Sequence, residues 1–198
     1  MVQSAIKKKQ SSIVEVLKDA ILSGDIPCGT EMTQKELAES LGVSRMPVRE
    51  ALIILEYQGL IGRLPNNHVR VTEFSDTYFQ EVFSLCARLE EEVLHIGEFA
   101  IRETSGTRFS EKEQSEELRI HYGICDKAAN ALLKKTLYTI IEIYVEFAIR
   151  QDTYDRTKGE ELLRQIVSEK DESRRQCLYR QYFKMLEEAI VAEREKRC

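Results

Sequence analysis

The chain has 198 residues, of which 42% are hydrophobic and 32% charged, an ordinary composition for a folded, soluble protein. No apolar run approaches the roughly 20 residues that a transmembrane helix needs, and the basic N-terminus lacks the apolar segment of a secretory signal. We therefore expect a cytoplasmic protein with no membrane association. Five scattered cysteines without metal-type spacing predict reduced thiols.

The charge is unevenly distributed along the chain. The net charge is −5, but residues 1–75 contain nine Lys/Arg and nine Asp/Glu, so the acidic excess lies entirely in the remainder. A neutral segment can still bind nucleic acid if its few cations share one face. The acidic remainder is expected to face away from DNA.

The N-terminal part begins with two helical segments. Apolar residues recur at helical spacing from about Lys8 to Leu22, and a segment containing glycine and proline follows. Thr33 and Glu36 form a capping box that opens a second helix, and Gly42 occupies the position of a helix C-terminal glycine. The turn after this helix is therefore predicted to be short.

A third helix and a hairpin complete the N-terminal part. Ser44 is the predicted cap of this helix, and Pro47 is tolerated in its first turn because those N–H groups have no intrahelical partner. Two β-prone runs, Leu60–Leu64 and Val69–Thr72, flank a Pro-Asn-Asn turn. Two helices joined by a short glycine-containing turn and followed by a hairpin predict a winged helix-turn-helix.

The C-terminal part contains five predicted helices and few strand signals. Predicted helix N-caps are Ser110, Thr157 and Asp171. The fold class is therefore mainly α: an N-terminal winged helix-turn-helix domain with a small β-hairpin wing (1–75) and a C-terminal antiparallel α-helical bundle (76–198).

Two arginines at the start of the third helix are candidate base-contacting residues. Arg45 and Arg49 are four residues apart and share one helix face. The N-terminal residues of a recognition helix meet base edges in the major groove, where the arginine fork pairs with guanine. Lys35 is a candidate phosphate contact. The alternative is that these cations are solvated surface charges, but the surrounding helix-turn-helix and wing favour DNA binding.

The stretch "LGVSRMPVREAL" resembles the consensus of the GntR family of transcription regulators, and the resemblance extends over about residues 10–73. It implies that Arg45 and Arg49 contact bases, that Lys35 contacts the backbone, and that the wing tip enters the minor groove. The wing carries His68 where the family usually has glycine. The remaining DNA-contact residues implied by the resemblance are Ser44, Pro47, Asn67 and Arg70.

The stretch "ELRIHYGICDKAANALL" resembles the helical ligand-binding (FCD) domain of the FadR-like branch of this family. The resemblance implies an effector or metal site with Glu117 and His121, and places Asn130 in the effector pocket. Alignment on "VSEKD" adds Glu160 and Tyr182. The implied ligand is a divalent ion of zinc, nickel or manganese type, which would hold a small carboxylate effector.

Other interpretations of these residues remain open. Glu160 also fits the capping-box partner of Thr157, and a lone His121 in an apolar helix is also typical of a core histidine. The resulting hypothesis is a homodimeric, ligand-responsive transcription regulator, not an enzyme, that binds a short palindromic operator in double-stranded DNA. The alternatives are a constitutive dimeric regulator with a vestigial pocket, or a metal-dependent hydrolase using Glu117, His121 and Glu160.

Overall fold

The computed structural model describes residues 2–66, 68–75, 77–96 and 115–197. These residues form two compact units. The first contains the residues up to Ser75 together with 193–197, and the second contains the described residues between 77 and 192. Residues 193–197 therefore group with the first unit, whereas the sequence prediction placed them in the helical bundle.

The first unit contains three helices and a small antiparallel sheet, arranged along the chain as α1 (Val2–Ser23), β1 (Glu31–Met32), α2 (Gln34–Ser40), α3 (Arg45–Tyr57), β2 (Ile61–Arg63) and β3 (Val69–Val71). The strand order is β1-β3-β2, with Ile61 opposite Val71 and Glu31 opposite Arg70. The predicted hairpin is confirmed. Strand β1 was not predicted, because a two-residue strand is too short to show alternation.

The core of the first unit lies where α1 packs against α3. Apolar residues of α3 recur three and four positions apart, which places them on one buried face. The strands add apolar side chains to the same core. The buried residues include Ile13, Leu17 and Ile21 of α1, Val48, Ala51, Leu52 and Leu55 of α3, and Leu60, Ile61, Val69 and Val71 around the wing.

Arg194 explains why the end of the chain groups with the first unit. Its Nη1 donates to the carbonyl oxygens of Ile21 at 3.0 Å and Leu22 at 3.1 Å. Its guanidinium lies 5.0 Å from the centre of the Phe74 ring. The last carbonyls of a helix lack intrahelical partners and attract cations. Arg194 therefore stabilises the C-terminal end of α1.

The second unit is helical throughout its described regular structure. Its elements are α4 (Tyr78–Ile96), α5 (Glu116–Lys127), α6 (Ala131–Ile140), a π-helical turn (Ile141–Val145), α7 (Glu146–Ile149), α8 (Arg156–Ser168) and α9 (Glu172–Glu195), whose last residues belong to the first unit. The predicted mainly α fold is confirmed. No helix among the described residues is both long and apolar enough to cross a membrane.

The helix caps of the second unit test local predictions. Asp171 accepts a hydrogen bond from Arg174 N at 2.8 Å, as predicted for the cap of α9. The predicted cap at Thr157 is wrong, because Asp155 accepts from Lys158 N at 3.1 Å and α8 begins at residue 156. An aspartate also complements the helix dipole, which favours this earlier start. The predicted cap at Ser110 lies outside the described residues.

Candidate nucleic-acid interface and buried polar cluster

Helix α3 exposes its N-terminal cations and buries its apolar side. Ser44 is the N-cap, in extended backbone conformation and without a side-chain capping bond. Arg45 and Arg49 are exposed, whereas Val48 is fully buried between them along the helix. The spacing that buries Val48 directs both arginines away from the core. Pro47, in the first helical turn, is partly exposed.

Backbone contacts fix the entry of α3. Gly42 adopts a left-handed conformation (φ 62°), which glycine tolerates without steric cost. The neighbouring Val43 N donates to Ala38 O at 3.0 Å, an arrangement that closes the C-terminus of α2. The Gln34 side chain donates to the carbonyl oxygen of Arg45 at 2.5 Å. The first turns of α2 and α3 are thereby tied together.

The predicted capping box of α2 is confirmed. Thr33 N donates to the Glu36 carboxylate at 2.8 Å, and Glu36 N donates to Thr33 Oγ1 at 3.1 Å. The Thr33 hydroxyl also donates to the Glu36 carboxylate at 2.8 Å, and this bond together with the one from Thr33 N lowers the pKa of Glu36. A fixed start of α2 also fixes the position of Lys35 in its first turn.

The cations of this surface differ in how they are paired. Neither Arg45 nor Arg49 forms an ion pair with any residue the structure describes. Lys35 is 64% exposed and lies 3.9 Å from Glu39, a weak contact across one helical turn. Arg70, by contrast, pairs with Glu31 across the sheet, and this carboxylate raises the pKa of Arg70. The arginines of α3 are therefore better placed than Arg70 to contact an anionic partner.

The wing tip is closed by local hydrogen bonds. Leu64 N donates to His68 O at 2.8 Å, and His68 N donates to Asn66 Oδ1 at 3.1 Å. His68 is partly exposed. Asn67, predicted to contact DNA, lies outside the described residues. The sequence prediction did not include Met46, which is 60% exposed beside the two arginines of α3.

A buried polar cluster lies in the second unit. His121 is fully buried, with Nδ1 2.5 Å from Glu90 Oε1 and Nε2 2.9 Å from the Tyr182 hydroxyl. Tyr182 donates to Glu117 Oε2 at 2.9 Å, and Tyr154 donates to the same oxygen at 2.8 Å. We call these five residues the buried polar cluster. They form one continuous hydrogen-bonded network.

Burial controls the ionisation of this cluster. Desolvation raises the pKa of Glu117, although the two tyrosine hydrogen bonds oppose the shift. Desolvation also raises the pKa of Tyr182 well above its ordinary value. Both tyrosines therefore remain protonated donors, and Glu117 holds a proton more tightly than an exposed carboxyl does.

The structure brings together only part of the predicted effector or metal set. Glu117, His121 and Tyr182 are in one network, but Glu160 is partly exposed and lies 3.3 Å from Arg164. Asn130 caps α6 by accepting from Leu132 N at 2.8 Å. The prediction that Glu160 caps α8 together with Thr157 is also wrong, because Asp155 is the cap.

Two members of the cluster, Glu90 and Tyr154, were missed by the sequence analysis. Glu90 is spaced three and four residues from the buried Val93 and Cys86. A carboxylate within such an apolar stripe is a detectable signal of a buried polar contact. Tyr154 lies in a loop, where no periodicity identifies an inward-facing side chain.

The cluster does not fit a divalent metal in its observed arrangement. Both His121 nitrogens are engaged, and the Glu117 oxygen Oε2 accepts two hydroxyl donors. A side chain at Gly159 would collide with the Tyr154 hydroxyl, so the packing is tight. The described residues contain no group of three or more His, Cys, Asp or Glu side chains able to hold a metal. Within the cluster, Glu90 Oε2 and Glu117 Oε1 are buried and have no hydrogen-bond partner among the described residues.

Comparison with known proteins identifies the N-terminal part. Residues 9–71 match the family model described as "Bacterial regulatory proteins, gntR family". The chain is 28% identical over 165 residues to the uncharacterized HTH-type transcriptional regulator YdhC of Bacillus subtilis (strain 168), covering 75% of this chain and 73% of that protein. It is 37% identical over 65 residues to an HTH-type transcriptional regulator of Streptomyces ambofaciens, covering 33% of this chain and 28% of that protein.

Solved structures share the fold. One is Lar, described as controlling expression of the Listeria monocytogenes agr system, with a TM-score of 0.55, 18% identity, and coverage of 93% of this chain and 95% of that one. A second, described as a transcriptional regulator GntR from Rhodococcus sp. RHA1, has a TM-score of 0.50, 15% identity, and coverage of 94% and 97%. At these identities the comparison supports the architecture alone.

The fold, the exposed cations of α3 and the family match define a DNA-binding transcription regulator. Residues 9–71 are a GntR-family helix-turn-helix domain. The family and its relatives are transcription regulators and not enzymes, so the hydrolase alternative is rejected.

Proposed function

We propose that this regulator belongs to the FadR-like branch, acts as a homodimer in the cytoplasm, and binds a short palindromic operator. The observation that supports the proposal best is the pair of exposed arginines, Arg45 and Arg49, at the N-terminal end of a helix-turn-helix recognition helix, neither of which forms an ion pair with a described residue. Two such helices, related by the two-fold axis of a dimer, would contact two half-sites.

Each cation of the surface has a distinct proposed role. Arg49, on the second turn of α3, forms two parallel hydrogen bonds with guanine O6 and N7 in the major groove, and Arg45 contacts an adjacent base. Lys35 contacts a phosphate, which orients the domain without selecting sequence. His68 lies at the tip of the wing and enters the minor groove. Ser44 and Pro47 complete the surface around the start of α3.

Measured affinities for specific and random DNA test the base-contact proposal. An operator is first selected from a random duplex library, and fluorescence anisotropy then gives its affinity and that of a random duplex. Arg49→Ala should weaken the binding free energy for the operator by about 1–3 kcal/mol and that for random DNA by much less. Arg174→Ala, at an exposed arginine of α9, is the matched control. Equal losses on both duplexes for Arg49→Ala would show that it contacts only the backbone.

We also propose that the helical unit responds to a small molecule, such as a carboxylate. Glu117 Oε1 supports this role: it is buried and has no hydrogen-bond partner in the described part of the chain, and such an acceptor is costly unless something donates to it. An effector that favours one packing of the helical unit would shift the population of DNA-binding conformations. Thermal unfolding of the whole protein with a panel of small carboxylates, followed by operator binding, tests the idea.

A second candidate is a constitutive dimeric regulator with a vestigial pocket. The observation that favours it is the engagement of both His121 nitrogens and of Glu117 Oε2 by other side chains. In this case, the operator affinity should be the same with and without every compound in the panel, and chelators should leave it unchanged. An operator affinity that changes with any one compound would exclude this candidate.

A further inference from the structure

Helix α4 has an exposed face that is not used by the core of the second unit. The exposed residues on one side of this helix follow one another at spacings of three, one, three and four residues, and we call them the α4 face: Glu81, Ser84, Leu85, Arg88 and Glu92. Leu85 is 48% exposed, which is unusual for a large apolar side chain in the middle of a long helix. Ser84 is small and the neighbouring Leu85 is large, so together they form the groove and ridge through which two helices pack closely.

The α4 face borders a groove between α4 and α9. The groove has a volume of about 1060 Å³, and Phe83, Tyr179 and Phe183 lie along its floor. Phe83 stacks on Phe183 with ring centres 5.3 Å apart. Arg180 and Lys184 of α9 line the opposite rim. An apolar floor between charged rims is typical of a surface on which another helix packs.

The charged residues of the α4 face can pair with those of the same face on a second copy. When two copies of α4 lie antiparallel about a two-fold axis between Ser84 and Leu85, Glu81 of one copy faces Arg88 of the other. The same contact occurs twice, because every contact in such an interface is repeated by symmetry. Within one chain, Arg88 forms no ion pair with a described residue, so it is available to this contact. Arg180, on the opposite rim, is likewise without an ion pair in the described part of the chain.

We propose that the α4 face binds the α4 face of a second copy of this chain, with Leu85 at the centre and Glu81 paired with Arg88 of the second copy. The inference rests on the homodimer of the proposed function and specifies its surface and register. Burial of the half-exposed Leu85 side chain supplies the affinity, since the aromatic floor is already buried within one chain. The paired charges select the antiparallel register, because a shifted register places like charges opposite each other.

A charge-swap experiment on the full-length protein tests the register. Sedimentation equilibrium measures the dimer dissociation constant of the wild type, Arg88→Glu, and the double variant Glu81→Arg/Arg88→Glu. Arg88→Glu places two carboxylates opposite each other at both symmetric contacts, so the dimer should weaken roughly ten-fold to one-hundred-fold. The double variant restores both pairs with reversed sign and should recover most of the affinity. Arg174→Glu, an equal charge change on α9 outside the groove, should remain dimeric.

Each outcome decides the proposal. A monomeric wild type, an unweakened Arg88→Glu dimer, a double variant that stays dissociated while retaining the wild-type circular dichroism, or an equal effect of Arg174→Glu would each overturn it. Binding of all variants to a duplex with a single half-site is also measured. This measurement distinguishes a wrong dimer surface from a wrong proposed function. If half-site binding persists while Arg88→Glu remains dimeric, only the α4 face is wrong. If the wild type shows no sequence preference on any duplex, the proposed function itself fails.

Discussion

Replacing Tyr182 with phenylalanine removes one atom from the centre of the buried polar cluster. The Tyr182 hydroxyl is 2.9 Å from both His121 Nε2 and Glu117 Oε2, and the ring is fully buried. Because the hydroxyl proton points to Glu117, the imidazole Nε2–H donates to the hydroxyl oxygen. Phenylalanine leaves this buried N–H without an acceptor and removes one of the two donors to Glu117.

The size of the effect follows from these two lost bonds. An unsatisfied buried polar group costs about 1–3 kcal/mol, and a typical internal hydrogen bond contributes about 0.5–1.5 kcal/mol. Because the phenyl ring still fills the same space, the packing loss is small. We therefore expect Tyr182→Phe to lower the free energy of unfolding by about 2–4 kcal/mol.

Urea unfolding followed by circular dichroism, at neutral pH and one fixed protein concentration, measures this loss. Tyr138→Phe is the matched control, since the Tyr138 hydroxyl donates to Asp126 at 2.9 Å at an exposed position. Tyr138→Phe should lower the free energy of unfolding by less than about 1 kcal/mol. If Tyr182→Phe is no more destabilising than the control, the cluster does not contribute to stability as the hydrogen bonds indicate, and the reasoning is refuted.

Three further predictions concern single side chains. Lys35→Ala should weaken binding to all duplexes similarly and reduce the slope of log affinity against log salt by about 1, whereas Lys170→Ala should leave the slope unchanged. Glu117→Gln should flatten the pH dependence of the free energy of unfolding. Burial raises the folded-state pKa of Glu117, so the folded state binds this proton more tightly than the unfolded state does. The stability of the wild type therefore falls as the pH rises from the ordinary carboxyl pKa to the raised one. Urea midpoints from acidic to neutral pH measure this, and an undiminished fall in the variant would contradict it. Arg194→Ala should destabilise the first unit by about 1–3 kcal/mol, because two carbonyls of α1 lose their donor. Limited proteolysis should then cleave the α1 region faster than in the wild type. An unchanged cleavage rate would show that Arg194 does not stabilise α1.

The sequence predicted the DNA-binding unit well because its determinants are local. The Thr33 capping box, the glycine that ends α2 and the apolar stripe of α3 are each specified within one or two helical turns, and each is present in the structure. Exposure of Arg45 and Arg49 follows directly from the stripe that buries Val48. Strand β1 was missed because a two-residue strand depends on its partner β3 and not on its own pattern.

The buried polar cluster could be predicted only in part. Glu117 and His121 lie on one helix, one turn apart, so their proximity follows from helical periodicity alone. Glu90, Tyr154 and Tyr182 come from α4, a loop and α9, and nothing in the local sequence specifies that they converge on this pair. The predicted cap of α8 by Thr157 and Glu160 failed because Asp155 starts this helix earlier, and Glu160 instead lies beside Arg164.

The sequence by itself therefore determined most of the described helices, several of their caps, the class of fold and the exposure of the cations at the start of α3, because these depend on side chains close together along the chain. Only the tertiary structure decided which polar groups are buried together in the second unit, which arginines are already paired within the chain, and that Arg194 belongs with the first unit. These contacts join residues as much as 173 positions apart, and their free energy depends on burial and on the distance between atoms, which the order of residues does not specify.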